Sequence, residues 1–443
     1  MTRLARLLPI LVLLLLAAAA PAHAAEQKLT LYSDPIDVKP YSGEQYTVPM
    51  QGPVDPGWIT SIKVDVVKKR SESAKKLSIQ DVMIHHIVLH AFGAKWADPA
   101  ANCAAQFFAM GEETQEMPKT GDYGIANMRP NGKAPNWLLT HMLMNHRSYP
   151  FKVYVRTTIT YSDTPKTELT PLWIDTAQTP NGGPAGCNPD PTFTVPGGAK
   201  KGSNYVDDAV YTVPEDGRII GAQGHLHGGG RYQTVTNLSC ENRRLWRSQA
   251  YYAMPDHIFY RVRPILHEPS PVSMSRMISP QGIPVSQGDQ LRLRAVYDNQ
   301  LPHTRVMSIM MAYMAPGDVQ PCEASPDDVI TQDVPRHYRK PYPLSRVPLM
   351  APPKGAFAPF RGGIDVGDYF FKQRRVVVKR GTPVTWRFDG GTSHDVAVAN
   401  GPRGFSSPWI QQGEFTYTPK KRGTYGLFCT LHPGYMSQEL KVE

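Results

Sequence analysis

The sequence predicts an all-β protein, and three observations lead to that prediction. Residues 153–161 alternate apolar and polar side chains and are rich in β-branched residues, as a half-buried strand is. Residues 59–69 and 375–388 alternate in a similar way. Glycines and prolines separate these stretches, as turns separate short strands. At 443 residues, the chain is long enough for about three domains.

The first 24 residues are predicted to be a secretory signal peptide. Arg3 and Arg6 precede an apolar run from residue 7 to residue 20, and small residues follow at 22–24. This run is too short for a comfortable membrane span, and no second run of spanning length follows. We therefore expect a mature chain that begins near residue 25, has no membrane span, and is secreted or periplasmic.

Two adjacent histidines, His85 and His86, form the first group that could bind a metal, and such a pair is equally typical of a surface feature. Neighbouring residues of a regular strand face opposite ways, so these two could share a metal only at a bulge or an irregular twist. His146 could complete a three-imidazole set, which suits copper. His90 and His141 are competing candidates for the third position.

A second set begins with His225 and His227, which are two residues apart and so lie on one face of a strand, where both can reach one ion. The glycines at 228–230 allow the turn that ends this strand. Met307 follows about eighty residues later, and a thioether joined to two imidazoles favours Cu(I). The role of His303 stays open.

Together, these two sets resemble the copper type II, ascorbate-dependent monooxygenases, the family of peptidylglycine α-hydroxylating and dopamine β-monooxygenases. The resemblance implies two antiparallel β-sandwiches in tandem, each with a copper that faces a shared cleft. It implies an electron-supplying copper held by His85, His86 and His146. It also implies a copper that binds dioxygen and is held by the residues that would then be catalytic, His225, His227 and Met307.

The sequence departs from the peptide-processing members of that family at several positions. Gln223 stands where they have an arginine that fixes the substrate carboxylate, and Met144 replaces a glutamine. Ile309 and Met311 replace an asparagine and a tyrosine that follow the ligand methionine. These differences argue against peptide amidation and predict a substrate that is less anionic or held differently.

The strongest motif lies near the end of the chain. Cys429, His432 and Met436 share one tight loop after a predicted strand, and His394 comes from a separate loop. One thiolate, two imidazoles and one thioether are the ligands of a blue-copper electron-transfer site. Residues 357–443 resemble a cupredoxin of the plastocyanin or pseudoazurin kind, which implies a Greek-key β-sandwich. The loop from cysteine to methionine is one residue shorter than in plastocyanin.

Phe428 directly precedes the ligand cysteine, where multicopper oxidases and copper nitrite reductases have a histidine. It therefore argues against both classes. The net charge of +10 is spread without long runs of lysine or arginine, which is typical of a solvated surface. We find no phosphate-binding loop, no nucleophile elbow, and no basic patch interleaved with aromatic residues, so no nucleic-acid partner is expected.

Cysteine usage agrees with an exported protein. Cys429 is assigned to copper, which leaves four of the five cysteines. An even remainder in an oxidising compartment suggests two disulfide bonds. Of the three possible pairings, we expect the one that places a bridge in each half of the region before the cupredoxin, namely Cys103 with Cys187 and Cys240 with Cys322.

These motifs divide the chain into a first sandwich (25–198), a second sandwich (199–316), a linker (317–356) and the cupredoxin (357–443). Ten prolines lie from Pro316 to Pro359, which favours an extended, semi-rigid tether. A tether raises the effective concentration of an attached electron carrier. We therefore expect the cupredoxin to pass electrons to the first copper of the sandwiches.

Two functions remain open from the sequence. The first is an exported copper monooxygenase that acts on a small molecule, with its own electron-transfer domain and an external donor such as an ascorbate-like reductant or a redox protein. The alternative is a non-catalytic copper-binding or electron-transfer protein, used outside the cytoplasm in copper handling or respiration. One predicted site has only nitrogen ligands and the other includes a sulfur ligand. This difference suits a division between electron supply and oxygen binding, and so favours the first function.

Overall fold

The computed structural model describes residues 26–97, 106–113, 116–177, 190–332 and 352–443. Within these residues the protein is almost entirely β, as predicted, with 29 strands and a single helix of four residues. The predicted signal peptide, Cys103 and Cys187 lie outside the described residues.

The part of the chain before residue 199 folds as two layers. One layer is a four-stranded sheet with the order β3-β8-β5-β6, and most of the other strands belong to a longer sheet. The strands are β1 Gln27–Tyr32, β2 Ile36–Val38, β3 Gln45–Met50, β4 Trp58–Val67, β5 Val82–Phe92, β6 Gln106–Gly111, β7 Tyr123–Ala126, β8 Asn136–Asn145, β9 Phe151–Ser162, β10 Thr167–Asp175 and β11 Thr192–Val195.

The next part also has two layers, one of which is a five-stranded sheet with the order β12-β18-β14-β15-β16. Its helix, α1, is Ile258–Arg261. Its strands are β12 Asn204–Thr212, β13 Gly217–Leu226, β14 Gly230–Asn237, β15 Arg243–Tyr251, β16 Ser273–Met274, β17 Arg276–Val285, β18 Gln290–Asp298, β19 His303–Pro316 and β20 Ile330–Gln332.

One long sheet joins these two parts. Its strand order is β1-β9-β4-β7-β10-β19-β13-β17-β20, with β2 and β11 attached at its sides. The junction is the antiparallel pairing of β10 with β19, in which Trp173 lies opposite Met311. The sandwiches are antiparallel except for the parallel pair β7 and β10. The two predicted sandwiches therefore share a continuous sheet.

The C-terminal part is a separate sandwich of two mixed sheets, with the orders β21-β24-β29-β28-β26 and β23-β22-β25-β27. Trp386, Tyr425 and Leu440 are buried between them. The strands are β21 Ala358–Pro359, β22 Ile364–Gly367, β23 Phe370–Phe371, β24 Arg375–Val378, β25 Val384–His394, β26 Ala397–Asn400, β27 Ile410–Tyr417, β28 Gly423–Phe428 and β29 Ser437–Val442.

The first part of the predicted linker packs on the second sandwich. Cys322 forms a disulfide bond with Cys240, which is the pair expected from the sequence. Glu323 accepts a hydrogen bond of 2.7 Å from Arg218, and β20 extends the long sheet by pairing with β17. The proline-rich composition alone did not predict these contacts, because proline is compatible with a covered edge strand.

The C-terminal sandwich is docked on both other parts. The amide of Gly43 donates to the carbonyl of Leu431, and the amide of Gly404 donates to the carbonyl of Pro196. The hydroxyl of Thr304 donates to the carbonyl of Val398 at 2.9 Å. The described parts of the chain contain no helix with the length and apolar character that a membrane crossing would need.

Candidate metal centres

The first candidate centre is formed by the C-terminal motif. His394 ends β25, and Cys429 directly follows β28. The sulfur of Cys429 lies 3.9 Å from Nδ1 of His394 and 3.6 Å from Nδ1 of His432, and the two Nδ1 atoms are 3.1 Å apart. All three side chains are buried. Ring nitrogens this close need a shared proton or a shared cation between them.

A tight loop brings these ligands together. The amide of Cys429 donates to the carbonyl of Met436, and the amide of Met436 donates to the carbonyl of His432. Met436 is fully buried in the same apolar core as Cys429. The four residues expected to bind the blue copper therefore come from one compact region.

Carboxylates hold the outer nitrogens of both imidazoles. Nε2 of His394 donates to Asp368 at 3.0 Å, and Nε2 of His432 donates to Glu44 at 3.1 Å. Such contacts fix the tautomer and leave Nδ1 unprotonated and available to a metal. Glu44 belongs to the first sandwich, so the centre extends across the interface between two parts of the molecule.

The electrostatics of this centre also fit a metal. Burial raises the pKa of the Cys429 thiol well above its usual value and lowers the pKa of His394. A thiolate buried here needs a compensating positive charge, and a bound metal supplies one. A soft sulfur with two imidazoles matches the preferences of copper.

The second candidate centre starts from the adjacent histidines of β5. The register between β5 and β8 shifts between Ile84 and His86, which is the irregularity that two adjacent ligands require. As a result, Nδ1 of His85 lies 3.2 Å from Nδ1 of His86. Nε2 of His86 donates to the side-chain oxygen of Gln45 at 2.7 Å, so its Nδ1 is the unprotonated nitrogen.

The pair at the end of β13 lies beside them. The rings of His225 and His227 have centroids 4.9 Å apart, and the ring of His227 is 4.8 Å from that of His85. The two histidine sets expected to form separate sites therefore adjoin in one group. We call His85, His86, His225, His227, His267 and His303 the histidine cluster.

Buried nitrogens without partners indicate that this cluster can bind a metal. Nδ1 of His225 donates to Glu113 at 3.0 Å, and Nδ1 of His303 donates to Glu268 at 2.6 Å. Among the described residues, nothing hydrogen-bonds to Nε2 of His225, His227 or His303. A buried polar atom without a partner is costly, so these nitrogens fit the role of metal ligands.

Glycines allow the rings to approach the backbone closely. A Cβ atom at Gly111 would collide with the ring of His225, and one at Gly229 would collide with the ring of His303. Gly229 also has a φ of +83°, which favours glycine. The glycines after His227 therefore make room for the cluster as well as ending the strand.

The structure groups the residues of the first predicted sandwich site differently from the expectation. The ligand atoms of His85, Glu112 and His267 lie within 4.8 Å of one another, whereas His146 belongs to no such group among the described residues. Nδ1 of His146 is nevertheless buried, and no described residue forms a hydrogen bond with it. The set of His85, His86 and His146 therefore remains a prediction.

Glu112 and His267 could not be found from the sequence. Glu112 follows β6 and His267 lies in an irregular segment after α1, so neither has a spacing that marks a ligand. An oxygen of Glu112 is 3.8 Å from Nε2 of His85 and 3.5 Å from Nδ1 of His267. Only tertiary folding brings these three side chains together.

Met307 lies on β19 and lines a cavity together with His85, His86 and His227. The cavity has a volume of about 90 Å³. Its lining also includes Phe428 and Thr430, the neighbours of Cys429 in the sequence. The cavity therefore lies between the histidine cluster and the blue-copper motif. Of the competing candidates, His90 contacts the hydroxyl of Thr140 through Nε2 at 3.0 Å, whereas both ring nitrogens of His141 are buried without a hydrogen-bond partner among the described residues.

Burial favours the neutral form of most imidazoles in this region, whereas for His303 the charge of Glu268 outweighs burial and raises the pKa. Burial lowers the pKa of His86 and of His146 to about 3, and the pKa of His267 to about 4. It lowers the pKa of His85 and of His227 well below the usual value. Neutral imidazole is the form that binds copper.

No protein-family model and no curated protein matches the chain. Solved structures of cupredoxins do. A reduced amicyanin mutant is 26% identical, with 18% of this chain and 80% of that chain covered (TM-score 0.17). A novel purple cupredoxin from Nitrosopumilus maritimus is 21% identical, with coverage of 19% and 100% (TM-score 0.18). A reduced Cu(I) form of another amicyanin mutant at pH 4 is 25% identical, with coverage of 20% and 85% (TM-score 0.17).

Proposed function

We propose that this chain is an exported copper oxidoreductase of the monooxygenase type, in which a cupredoxin unit supplies electrons to copper held by the histidine cluster. The observation that carries this proposal is the cavity in which His85, His86, His227 and Met307 meet. Phe428 and Thr430, on either side of Cys429, form part of its wall. Electron supply and oxygen chemistry would thus be neighbours in one rigid molecule.

Copper in the histidine cluster would supply one-electron and dioxygen chemistry. The residues of the chain would hold and orient the ligands of this copper. Glu113 orients His225 and Glu268 orients His303 by accepting hydrogen bonds from their Nδ1 atoms. The thioether of Met307 offers a soft donor that favours the reduced metal.

The cavity suggests the kind of substrate. Its volume of about 90 Å³ is small, and Met142, Leu266 and Val306 give it apolar walls. Arg305 also lines it, but the guanidinium is paired with Asp190 at 2.6 Å. We therefore propose a small, apolar substrate and an external reductant. The Cys240–Cys322 bridge supports an oxidising location, secreted or periplasmic.

The test is ascorbate-driven oxygen uptake by the copper-loaded protein across a panel of small apolar compounds. Met307→Ile should abolish substrate-dependent uptake and leave the visible band of the C-terminal copper intact. Met254→Ile, at an exposed methionine, is the matched control and should behave like the wild type. Absence of substrate-dependent uptake across the panel would contradict the proposal.

The second candidate function is non-catalytic copper binding with electron transfer. The observation that favours it is the number of imidazoles in the histidine cluster, which exceeds the three or four nitrogen ligands of an ordinary copper site. In that function the cluster would store or sense copper. It predicts copper binding by the cluster with no oxygen uptake that depends on a substrate.

A further inference from the structure

We propose that Glu44 and Gln45 form the electron path between the blue-copper motif and the histidine cluster. This inference rests on the proposed function, because it requires copper at both places. It assigns a role to two residues that are not themselves metal ligands in any of the sets described above.

The contacts are continuous from one centre to the other. Oε1 of Glu44 accepts a hydrogen bond from Nε2 of His432 at 3.1 Å. Oε1 of Gln45 accepts a hydrogen bond from Nε2 of His86 at 2.7 Å. A single peptide bond separates Glu44 from Gln45, and neighbouring residues of an extended chain point to opposite sides. Each side chain therefore reaches a different centre.

The segment is held firmly in place. Lys39 donates to Glu44 at 2.8 Å, and the hydroxyl of Tyr46 donates to the other oxygen of the same carboxylate. The hydroxyl of Tyr435 donates to the carbonyl of Pro40 at 2.9 Å. These hydrogen bonds hold residues 39–46 against the loop that contains His432 and Tyr435, so Glu44 is kept in place beside His432.

A second connection between the same two parts is less direct. Nε of Arg305 lies 3.4 Å from Asp395, which follows His394 in the sequence. The other guanidinium nitrogens of Arg305 donate to Asp190 at 2.6 Å and to the carbonyl of Ser407 at 3.1 Å. None of these three partners is an imidazole of the histidine cluster, whereas the path through Glu44 and Gln45 ends on an imidazole at both sides.

The step transfers one electron. Glu44 and Gln45 would carry it from a cuprous ion that Cys429 and His432 would hold to a cupric ion that the histidine cluster would hold. The first ion would be oxidised and the second reduced, and no covalent bond would change. An ascorbate-like reductant then returns an electron to the first ion.

The experiment uses the full, copper-loaded protein without oxygen. A short pulse of photogenerated reductant bleaches the visible band, and the band returns as the electron leaves for the cluster. Gln45→Leu removes the acceptor for His86 and should slow this recovery by about tenfold or more, as expected for loss of an outer partner of a metal ligand. The visible band and the potential of the blue copper should stay unchanged, and copper added in excess keeps the histidine cluster loaded although its affinity for copper falls.

Two further variants separate the path from a general structural effect. Gln45→Glu keeps an oxygen acceptor for His86 and should recover at nearly the wild-type rate. Thr47→Val, on the same strand, removes only a hydroxyl contact with Thr140 and should also match the wild type. An unchanged rate in Gln45→Leu, with copper at both centres, would overturn the path and leave the proposed function standing. Absence of copper from the cluster would overturn both.

Discussion

At the scale of single residues, the two centres are built by the same rule. Four of their imidazoles donate one ring N–H to a carboxylate, which leaves the other ring nitrogen available to a metal. Such an outer partner fixes the tautomer and makes the ligand more basic. The pairs are His225 with Glu113, His303 with Glu268, His394 with Asp368, and His432 with Glu44.

The first prediction concerns Glu113. In Glu113→Gln the neutral amide no longer increases the basicity of His225, so the affinity of the histidine cluster for copper should fall by roughly 10-fold to 100-fold. A chelator competition titration measures this affinity. The visible band should not change. Glu116→Gln, at an exposed carboxylate paired with Lys63, is the control. Equal affinities for the two variants would show that Glu113 does not support the ligand.

The second prediction concerns His141, whose ring is buried and has no hydrogen-bond partner among the described residues. Burial lowers its pKa to about 4. Below pH 6.5 the unfolded chain therefore binds a proton that the folded chain does not, and the folded state loses stability as the pH falls towards 4. At pH 4.5 this loss is about 2–3 kcal/mol for one such histidine.

His141→Leu should remove that loss. In urea unfolding of the metal-free protein, the variant should match or slightly exceed the wild type at pH 7. It should exceed the wild type by about 2–3 kcal/mol at pH 4.5. If the difference between variant and wild type is the same at both pH values, His141 is not the buried neutral group described here.

Residue patterns predicted part of the candidate sites. The sequence predicted the C-terminal motif because the spacing of Cys429, His432 and Met436 places them on one loop. His394 was predicted to come from a separate loop. The need for a bulge between His85 and His86 was also visible from the period of a strand. Glu112 and His267 were not, because their proximity depends on how β6 and an irregular segment pack in three dimensions.

At the scale of elements, the loop that contains Leu431 and Gly434 joins the C-terminal sandwich to the first sandwich. The amide of Gly434 donates to the carbonyl of Tyr41, and the amide of Gly43 donates to the carbonyl of Leu431. Met142 of β8 is buried in the core of the C-terminal sandwich. The C-terminal sandwich therefore packs against the first sandwich. The proline content of the linker predicted a tether but could not predict this interface.

The third prediction tests this interface. A Cβ atom at Gly434 would collide with the side chain of Tyr41. Gly434→Ala should therefore destabilise the docked state by about 1–3 kcal/mol, the usual cost of overpacking. Thermal unfolding of the copper-loaded protein, followed by the visible band, measures this. Gly317→Ala, where a Cβ meets nothing within 4 Å, is the control. A variant as stable as this control would mean that the loop is not packed against Tyr41.

The fourth prediction concerns the bridge between Cys240 and Cys322, which closes a loop over a sequence separation of 82 residues. The double variant Cys240→Ser, Cys322→Ser should lose about 2–4 kcal/mol of stability, mainly because the unfolded chain gains freedom. Chemical unfolding of wild type and variant measures the difference. A loss below about 1 kcal/mol would indicate that the contacts of β20 hold this segment without the bridge.

The strand pairing of β10 with β19 shows why the sequence predicted elements better than their arrangement. Alternation predicted the strands of residues 59–69 and 153–161, which the structure contains as most of β4 and β9. The shared sheet depends on contacts between residues such as Trp173 and Met311, which are far apart in the sequence. Local periodicity carries no information about such pairings.

At the scale of the whole molecule, three all-β parts enclose one cavity. The first part contributes His85 and His86, the second contributes His227 and Met307, and the third contributes Thr430. The first two parts share a sheet, and the third is docked on both, so we expect the two centres to keep a constant separation. Our central claim is therefore that one molecule binds a blue copper and a separate copper in the histidine cluster.

Copper analysis and electron paramagnetic resonance of Cys429→Ser test that claim most directly. The variant should lose the visible band together with the copper that gives rise to it. It should keep copper whose signal shows coupling to imidazole nitrogen, because the histidine cluster does not include Cys429. A Cys429→Ser protein that retains no copper would contradict the account.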